Sequence, residues 1–184
     1  MRNTTLALSL LLATATAEAA SVGGVNLSDT ATAGGQTLVL NGAGLRKKLF
    51  IKVYAAGLYL PAKQNSPERI LAADTARQMV MHFVYDVDKE KIAEAWQEGL
   101  LDNTPNTSPA VKQAFSTLGS WMEDMEKGQR VVLTYVPGSG TTVEVNGKVK
   151  GVLQDKAVSD AILATWIGPK PGPGEDFKKA LLGK

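Results

Sequence analysis

The side chains best equipped for chemistry fall in one stretch, Leu38 to Leu60, LVLNGAGLRKKLFIKVYAAGLYL. Arg46 offers a planar, permanently charged guanidinium that can grip a carboxylate through two parallel hydrogen bonds. Tyr54 and Tyr59 add aromatic bodies that carry a hydroxyl at one edge. Strand parity from Leu49 to Ala56 sets Leu49, Ile51, Val53 and Ala55 on one face, read as core, and Phe50, Lys52, Tyr54 and Ala56 on the other. That second face, aromatic and cationic together, suits solvent with lysine stems lying over it, which is the generic expectation. It also suits the wall of a cleft that holds an apolar body with a polar end. An arginine at a strand end has its own ordinary use, pairing with a surface carboxylate for at most about 1 kcal/mol.

Elsewhere the chemistry is thinner. The one histidine, His82, lies in RQMVMHFVY, Arg77 to Tyr85, without a second histidine or a carboxylate at ligand spacing, so it reads as a strand-face residue and no metal or cofactor is expected. The run Gly138 to Thr142 lacks the Gly-Lys-Ser/Thr ending of a phosphate cradle and reads as a hairpin turn. Trp121, Met122 and Met125 stand at helical spacing and read as core. The chain contains no cysteine, which excludes disulfides, thiol catalysis and cysteine-held metal or haem.

Composition limits the alternatives further. A net charge of +2 gives no argument for nucleic acid or for an anionic membrane surface, and 44% hydrophobic with 21% charged residues is ordinary for a globular domain. Arg2, the apolar run Leu6 to Leu12 and Ala17-Glu18-Ala19 match a signal peptide cut before Ala20. The apolar run is too short to span a membrane. The expectation is a leader over 1–19 and a single domain over 20–184, exported to a compartment such as the periplasm.

These residues must be positioned by the following elements. Ser21 to Leu27 is a short strand, Ala33-Gly34-Gly35 a turn, and Gln36 to Asn41 a strand running into the long strand or strand pair that ends at Pro61. Ser66-Pro67 opens a short helix through Ala73, and Arg77 to Tyr85 is a strand. Asp88 to Leu101 is a helix capped by Asp88, with Ile92, Trp96 and Leu100 at spacings of four. Ser108-Pro109 opens another helix whose stripe runs through Val111, Phe115, Leu118, Met122 and Met125 to Gly128. Strands follow at Gln129 to Val136, Thr141 to Val145 and Lys148 to Leu153, the last two joined by an Asn146-Gly147 turn. Helices at Ser159 to Ile167, capped by Asp155 or Ser159, and at Glu175 to Leu182 close the chain. This order is α+β, with helices set against a mostly antiparallel sheet.

Two segments resemble a known family. GAGLR, Gly42 to Arg46, followed by FIKVYAAGLYL, Phe50 to Leu60, is similar to the G-x-G-x-R and F-x-K-x-x-A-x-G-x-Y-L segments of the chalcone isomerase family, in the form seen in its exported bacterial branch. TWIGPKPGPGEDFKKALLG, Thr165 to Gly183, resembles that family's closing helix, Ile-Gly corner and final short helix. The resemblance implies an open-faced β-sandwich with helices on one side of the sheet and a ligand cleft between them. It places Arg46 on the arginine that, in the enzymes, orients the nucleophile of ring closure, and Thr165 on a substrate-contacting Ser/Thr position. Tyr54 stands where the plant enzymes have threonine. Their helix tyrosine and asparagine have no match in Asp88 to Gly99, although Lys91 and Glu98 fall nearby. Along one straight strand Arg46 and Tyr54 would be roughly 27 Å apart, so a shared site needs a turn or bulge near Lys47 to Leu49.

Three functions follow, in order. The first is a non-catalytic binder of a small amphipathic anion such as a fatty acid, held by Arg46, Tyr54 and Thr165. The second is an isomerase, a chalcone-type intramolecular lyase, using Arg46. The third is a structural or partner-binding protein with a filled cleft. The sequence leaves the oligomeric state open.

Overall fold

The computed structural model describes residues 20–184; the expected leader, 1–19, lies outside the described residues. The first strand expectation divides in two. β1 (Ala20–Val22) and β2 (Val25–Leu27) form a small hairpin, because Gly23 and Gly24 both take positive φ and turn the chain between them. β3 (Thr30–Ala33), β4 (Gln36–Lys48) and β5 (Ile51–Leu60) then begin a seven-stranded antiparallel sheet. The chain continues through α1 (Pro67–Ala72), β6 (Arg77–Phe83), α2 (Lys89–Asn103) and α3 (Pro109–Ser120). It finishes with β7 (Arg130–Val136), β8 (Gly140–Val145), β9 (Lys148–Leu153), α4 (Lys156–Ile167) and α5 (Glu175–Leu181). Strand order follows chain order from β3 to β9, so every neighbour is sequential and no crossover is needed.

The helices pack on one face of this curled sheet. The larger core joins Leu58 and Met81 of the sheet to Trp96, Phe115 and Ile167 of the helices. The other face is covered by the β1–β2 hairpin, where Leu27 meets Leu38, Leu40 and Tyr59. α4 is buried nearly all round, from Val158 to Ile167, and is the helix that the others surround. Asp155 caps it by accepting from the Ala157 N–H, which settles the choice between the two expected caps.

The strand pair at the centre is a hairpin whose tip is Leu49-Phe50, and here the parity reading fails. Leu49, assigned to the core, is 87% exposed, and Phe50 is 88% exposed. Leu49 adopts a φ of 57°, a region that costs an L-residue roughly 1–2 kcal/mol. Two bulges change the faces. Tyr54 pairs with Arg46 but Lys52 with Lys47, so Val53 is the extra residue on β5. The bulge lets Ile51 and Val53 share the helix-facing side with Tyr54, Ala56 and Leu58 instead of opposing them. Asn41 is the extra residue on β4, and its amide ties that strand to the Leu181 carbonyl at 2.8 Å and to the Gln64 N–H at 2.7 Å.

The glycines of GAGLR are explained by α5. A Cβ on Gly42 would lie 2.2 Å from the Ala180 carbonyl oxygen, and one on Gly44 would lie 3.0 Å from the Phe177 ring. Only a bare backbone lets the last helix cross β4 this closely. Two helix expectations also change. α3 ends at Ser120, and Met122 and Met125 enter the core from the following segment, where Met125 bridges to Val87. Asp88 precedes α2 but makes no side-chain cap; its carboxylate pairs with Lys91, while Asp124 accepts from the Lys89 N–H.

Candidate ligand-binding site

Between the sheet and α2 and α4 lies a cavity of about 320 Å³. β5 contributes Ile51, Val53 and Tyr54, β6 contributes Met81 and Phe83, and α2 contributes Ile92, Ala95, Trp96 and Gly99. Those α2 positions recur at three and four residues, so one helical stripe faces the cavity. Arg46, Tyr54 and Thr165, the residues singled out from the sequence, all line it. Buried side chains, including Tyr54, Phe83, Trp96, Thr165 and Trp166, make the floor, and the exposed Lys48, Tyr85, Asp86 and Lys91 make the mouth.

Arg46 and Tyr54 come together because the hairpin folds them onto opposite strands in direct register. The turn that a shared site requires is Leu49-Phe50. The guanidinium carbon sits 5.6 Å from the Tyr54 ring centre, a cation–π distance. Arg46 is half-buried, and among the described residues no carboxylate pairs with it. Its charge therefore stands at the rim of an apolar cavity, and among the described residues no side-chain hydrogen bond takes up its fork.

The floor is an aromatic assembly. Tyr54 packs edge-on against Phe177 at 5.9 Å and tilted against Phe83 at 5.7 Å, and its hydroxyl accepts from the Trp166 indole N–H at 2.9 Å. Trp96 meets Trp166 edge-on at 5.2 Å. The Trp96 indole N–H is fully buried and has no hydrogen-bond partner among the described residues. Thr165 donates to the Ile162 carbonyl at 2.8 Å, so its hydroxyl proton is held inside α4. Its methyl touches Gly99, where a Cβ would approach to 2.8 Å, and this contact sets the spacing of α2 and α4. Asn103 fastens the end of α2 to the corner after α4, accepting from the Lys170 N–H and donating to the Lys170 carbonyl, both at 2.9 Å.

Of the two residues placed loosely near the site, Lys91 stands at the cavity mouth, paired with Asp88 at 3.0 Å. Glu98 does not line the cavity; it faces a groove between α2 and α3. His82 lies opposite Ala55 and Arg130 in the sheet and does not line the cavity. Burial, with the Arg130 charge added, holds its pKa below the usual 6.5. Among the described residues no cluster of potential metal ligands occurs. Sequence reasoning missed Val53, Phe83, Trp96 and Trp166. The stripe Ile92, Ala95, Trp96, Gly99 could have revealed the α2 wall, whereas the bulge that turns Val53 inward left no signal.

A second polar assembly lies apart from the cavity. Arg77, 4% exposed, donates to Ser159 at 2.7 Å and to Asp160 at 2.5 Å, and stacks on the Tyr135 ring at 4.9 Å. Lys156 completes the pairing of Asp160, so the group fastens β6 to α4. The two cations share the one carboxylate and donate besides to the Ile70 and Leu71 carbonyls, which suits a tie in the fold rather than a ligand site.

A family model described as chalcone isomerase-like matches residues 19–183 of the chain. Among solved structures, a fatty-acid binding protein of Arabidopsis thaliana superimposes with a TM-score of 0.68 at 20% identity, covering 90% of this chain and 96% of that one. At this identity the match speaks for the fold. A search of the curated proteins finds no match.

Proposed function

This chain belongs to the chalcone isomerase-like family, and we propose that it is a non-catalytic binder of a small amphipathic anion, fatty-acid-like in having a carboxylate head and an apolar body. The observation that carries this reading is the Arg46 guanidinium, free of carboxylate partners among the described residues, at the rim of a cavity floored by aromatic and aliphatic side chains. A carboxylate would take the guanidinium's fork, and the apolar body would cover Val53, Phe83 and Trp96. The cavity volume falls within the usual range for small-ligand sites, about 300–1,000 Å³. The solved plant structure named for fatty-acid binding supports the same reading.

Binding is favoured over ring closure by the hydrogen bond that holds Thr165 at the floor. The Tyr54 hydroxyl is engaged by Trp166, and the Thr165 proton goes to Ile162. The Thr165 hydroxyl, its proton spent inside α4, is not poised to donate to a water at a developing oxyanion, whereas the Tyr54 hydroxyl, which accepts from Trp166, keeps its own proton. Native mass spectrometry of the purified protein, followed by solvent extraction, tests the reading. A bound carboxylate with an alkyl or aryl body is the expected result. Failure to retain any such molecule, even after incubation with long-chain fatty acids, would contradict it.

We also propose export, with residues 1–19 as the leader. Amino-terminal sequencing should find the mature chain beginning at Ala20 or within a residue or two. An uncut Met1 in the exported fraction would contradict this.

A further inference from the structure

The tip of the β4–β5 hairpin breaks three local rules at once. Leu49 and Phe50, the two most exposed large apolar side chains among those described, stand together at its end. Leu49 holds a positive φ of 57° where glycine or asparagine would fit without strain. Lys47 and Lys52, both exposed, face each other directly across the strands, an unfavourable like-charge pair. Lys48 and Arg46 extend the same cluster. No Asp or Glu occurs between Thr30 and Pro67, and among the described residues none of these four cations has an ion-pair partner. The chain's small net charge hides this because it averages over the whole sequence, although the four cations fall within one short stretch, Arg46 to Lys52. Local conflicts concentrated at one exposed point mark a surface made for something other than stability.

We propose that this tip docks on an anionic lipid bilayer, with Leu49 and Phe50 entering the interfacial layer and Lys47, Lys48 and Lys52 contacting headgroup phosphates. An apolar point inside a ring of cations is complementary to that surface on both counts, since acyl chains accept the side chains and anionic headgroups relieve the Lys47–Lys52 repulsion. A soluble acidic partner would match the lysines but leave no reason for a paired Leu-Phe point. Lys48 and Ile51 of the same hairpin also line the cavity, so docking brings the mouth to the membrane surface. The docking itself stands on the hairpin alone. The consequence that an amphipathic ligand passes between bilayer and cavity rests on the proposed binding function.

The chain from Ala20 onward, which contains every described element, is mixed with vesicles of phosphatidylcholine alone or with phosphatidylglycerol added, and sedimented. Because the sequence has no cysteine, Phe50→Cys carrying an environment-sensitive fluorophore reports burial of the tip directly. We expect sedimentation and a blue shift only with phosphatidylglycerol. Paired Lys47→Gln and Lys52→Gln should reduce partitioning by roughly tenfold or more, and paired Leu49→Ser and Phe50→Ser should abolish it with fatty-acid titration unchanged. Wild type that stays in solution with both vesicles overturns the proposal, as does binding insensitive to both variant pairs. Concentration-dependent self-association removed by Leu49→Ser and Phe50→Ser, without vesicle binding, would instead assign the tip to a second copy. Loss of fatty-acid binding with vesicle binding intact would sink only the function of the cavity.

Discussion

Trp166 donates its indole N–H to the Tyr54 hydroxyl at 2.9 Å, joining the most enclosed helix to the central hairpin at the floor of the cavity. Both residues are about 3% exposed, so no water can replace the acceptor without rearrangement. Tyr54→Phe leaves the N–H buried and unpaired and should cost about 1–3 kcal/mol. Urea denaturation measures this as a lower midpoint at unchanged slope. An unchanged midpoint would mean that the bond contributes nothing net.

The Gly99–Thr165 contact gives a second expectation. Alanine at position 99 gains helix propensity, but its Cβ would lie 2.8 Å from the Thr165 methyl, and overpacking of this kind outweighs the gain. Gly99→Ala should lower stability by about 1–2 kcal/mol. Adding Thr165→Ser, which deletes the methyl and keeps the hydroxyl, should recover part of the loss in a double-mutant cycle. Additive effects would show that α2 and α4 are not held apart at this point.

These two contacts show where the sequence was legible and where it was not. The G-x-G-x-R segment, the aromatic strand and the closing helix pointed to the fold, and they put Arg46, Tyr54 and Thr165 on the wall of one cavity. The need for a turn between Arg46 and Tyr54 followed from strand length once the resemblance had put both in one site. The Val53 bulge did not follow, because one unpaired residue inverts parity without altering composition, and Ile51 and Val53 were therefore set on the face opposite Tyr54, while Leu49 was assigned to a strand face although it lies in the turn. Gly99 carried no signal for a different reason: its role is fixed by a residue far along the chain. The cationic tip was invisible in net charge, which averages over the whole chain.

At the hairpin tip, relief of backbone strain should raise stability. Leu49→Asn places a residue tolerant of left-handed backbone at a φ of 57° and removes exposed apolar surface. A gain of up to about 1 kcal/mol in urea denaturation is expected. A loss would show that Leu49 packs on the fold more than its exposure indicates.

His82 sets a pH dependence with a defined sign. Its pKa in the folded chain lies below 6.5, chiefly from burial, so the unfolded chain binds the proton more tightly. Its contribution to stability is present above about pH 6.5 and is lost as pH falls through the folded value. His82→Gln should flatten that part of the profile of urea midpoint against pH. As the only histidine, its proton NMR titration gives the folded pKa without ambiguity. A value at or above 6.5 would contradict the account.

Calorimetric titration of long-chain fatty acids into wild type, Arg46→Ala and Arg46→Lys tests the central claim most directly. If the carboxylate pairs with the guanidinium away from bulk water, Arg46→Ala should lose about 2–5 kcal/mol of affinity. Arg46→Lys should recover only part of the loss, because a point charge replaces the bidentate fork. Equal affinities in all three proteins would contradict the account and leave the cavity without an anion-binding role.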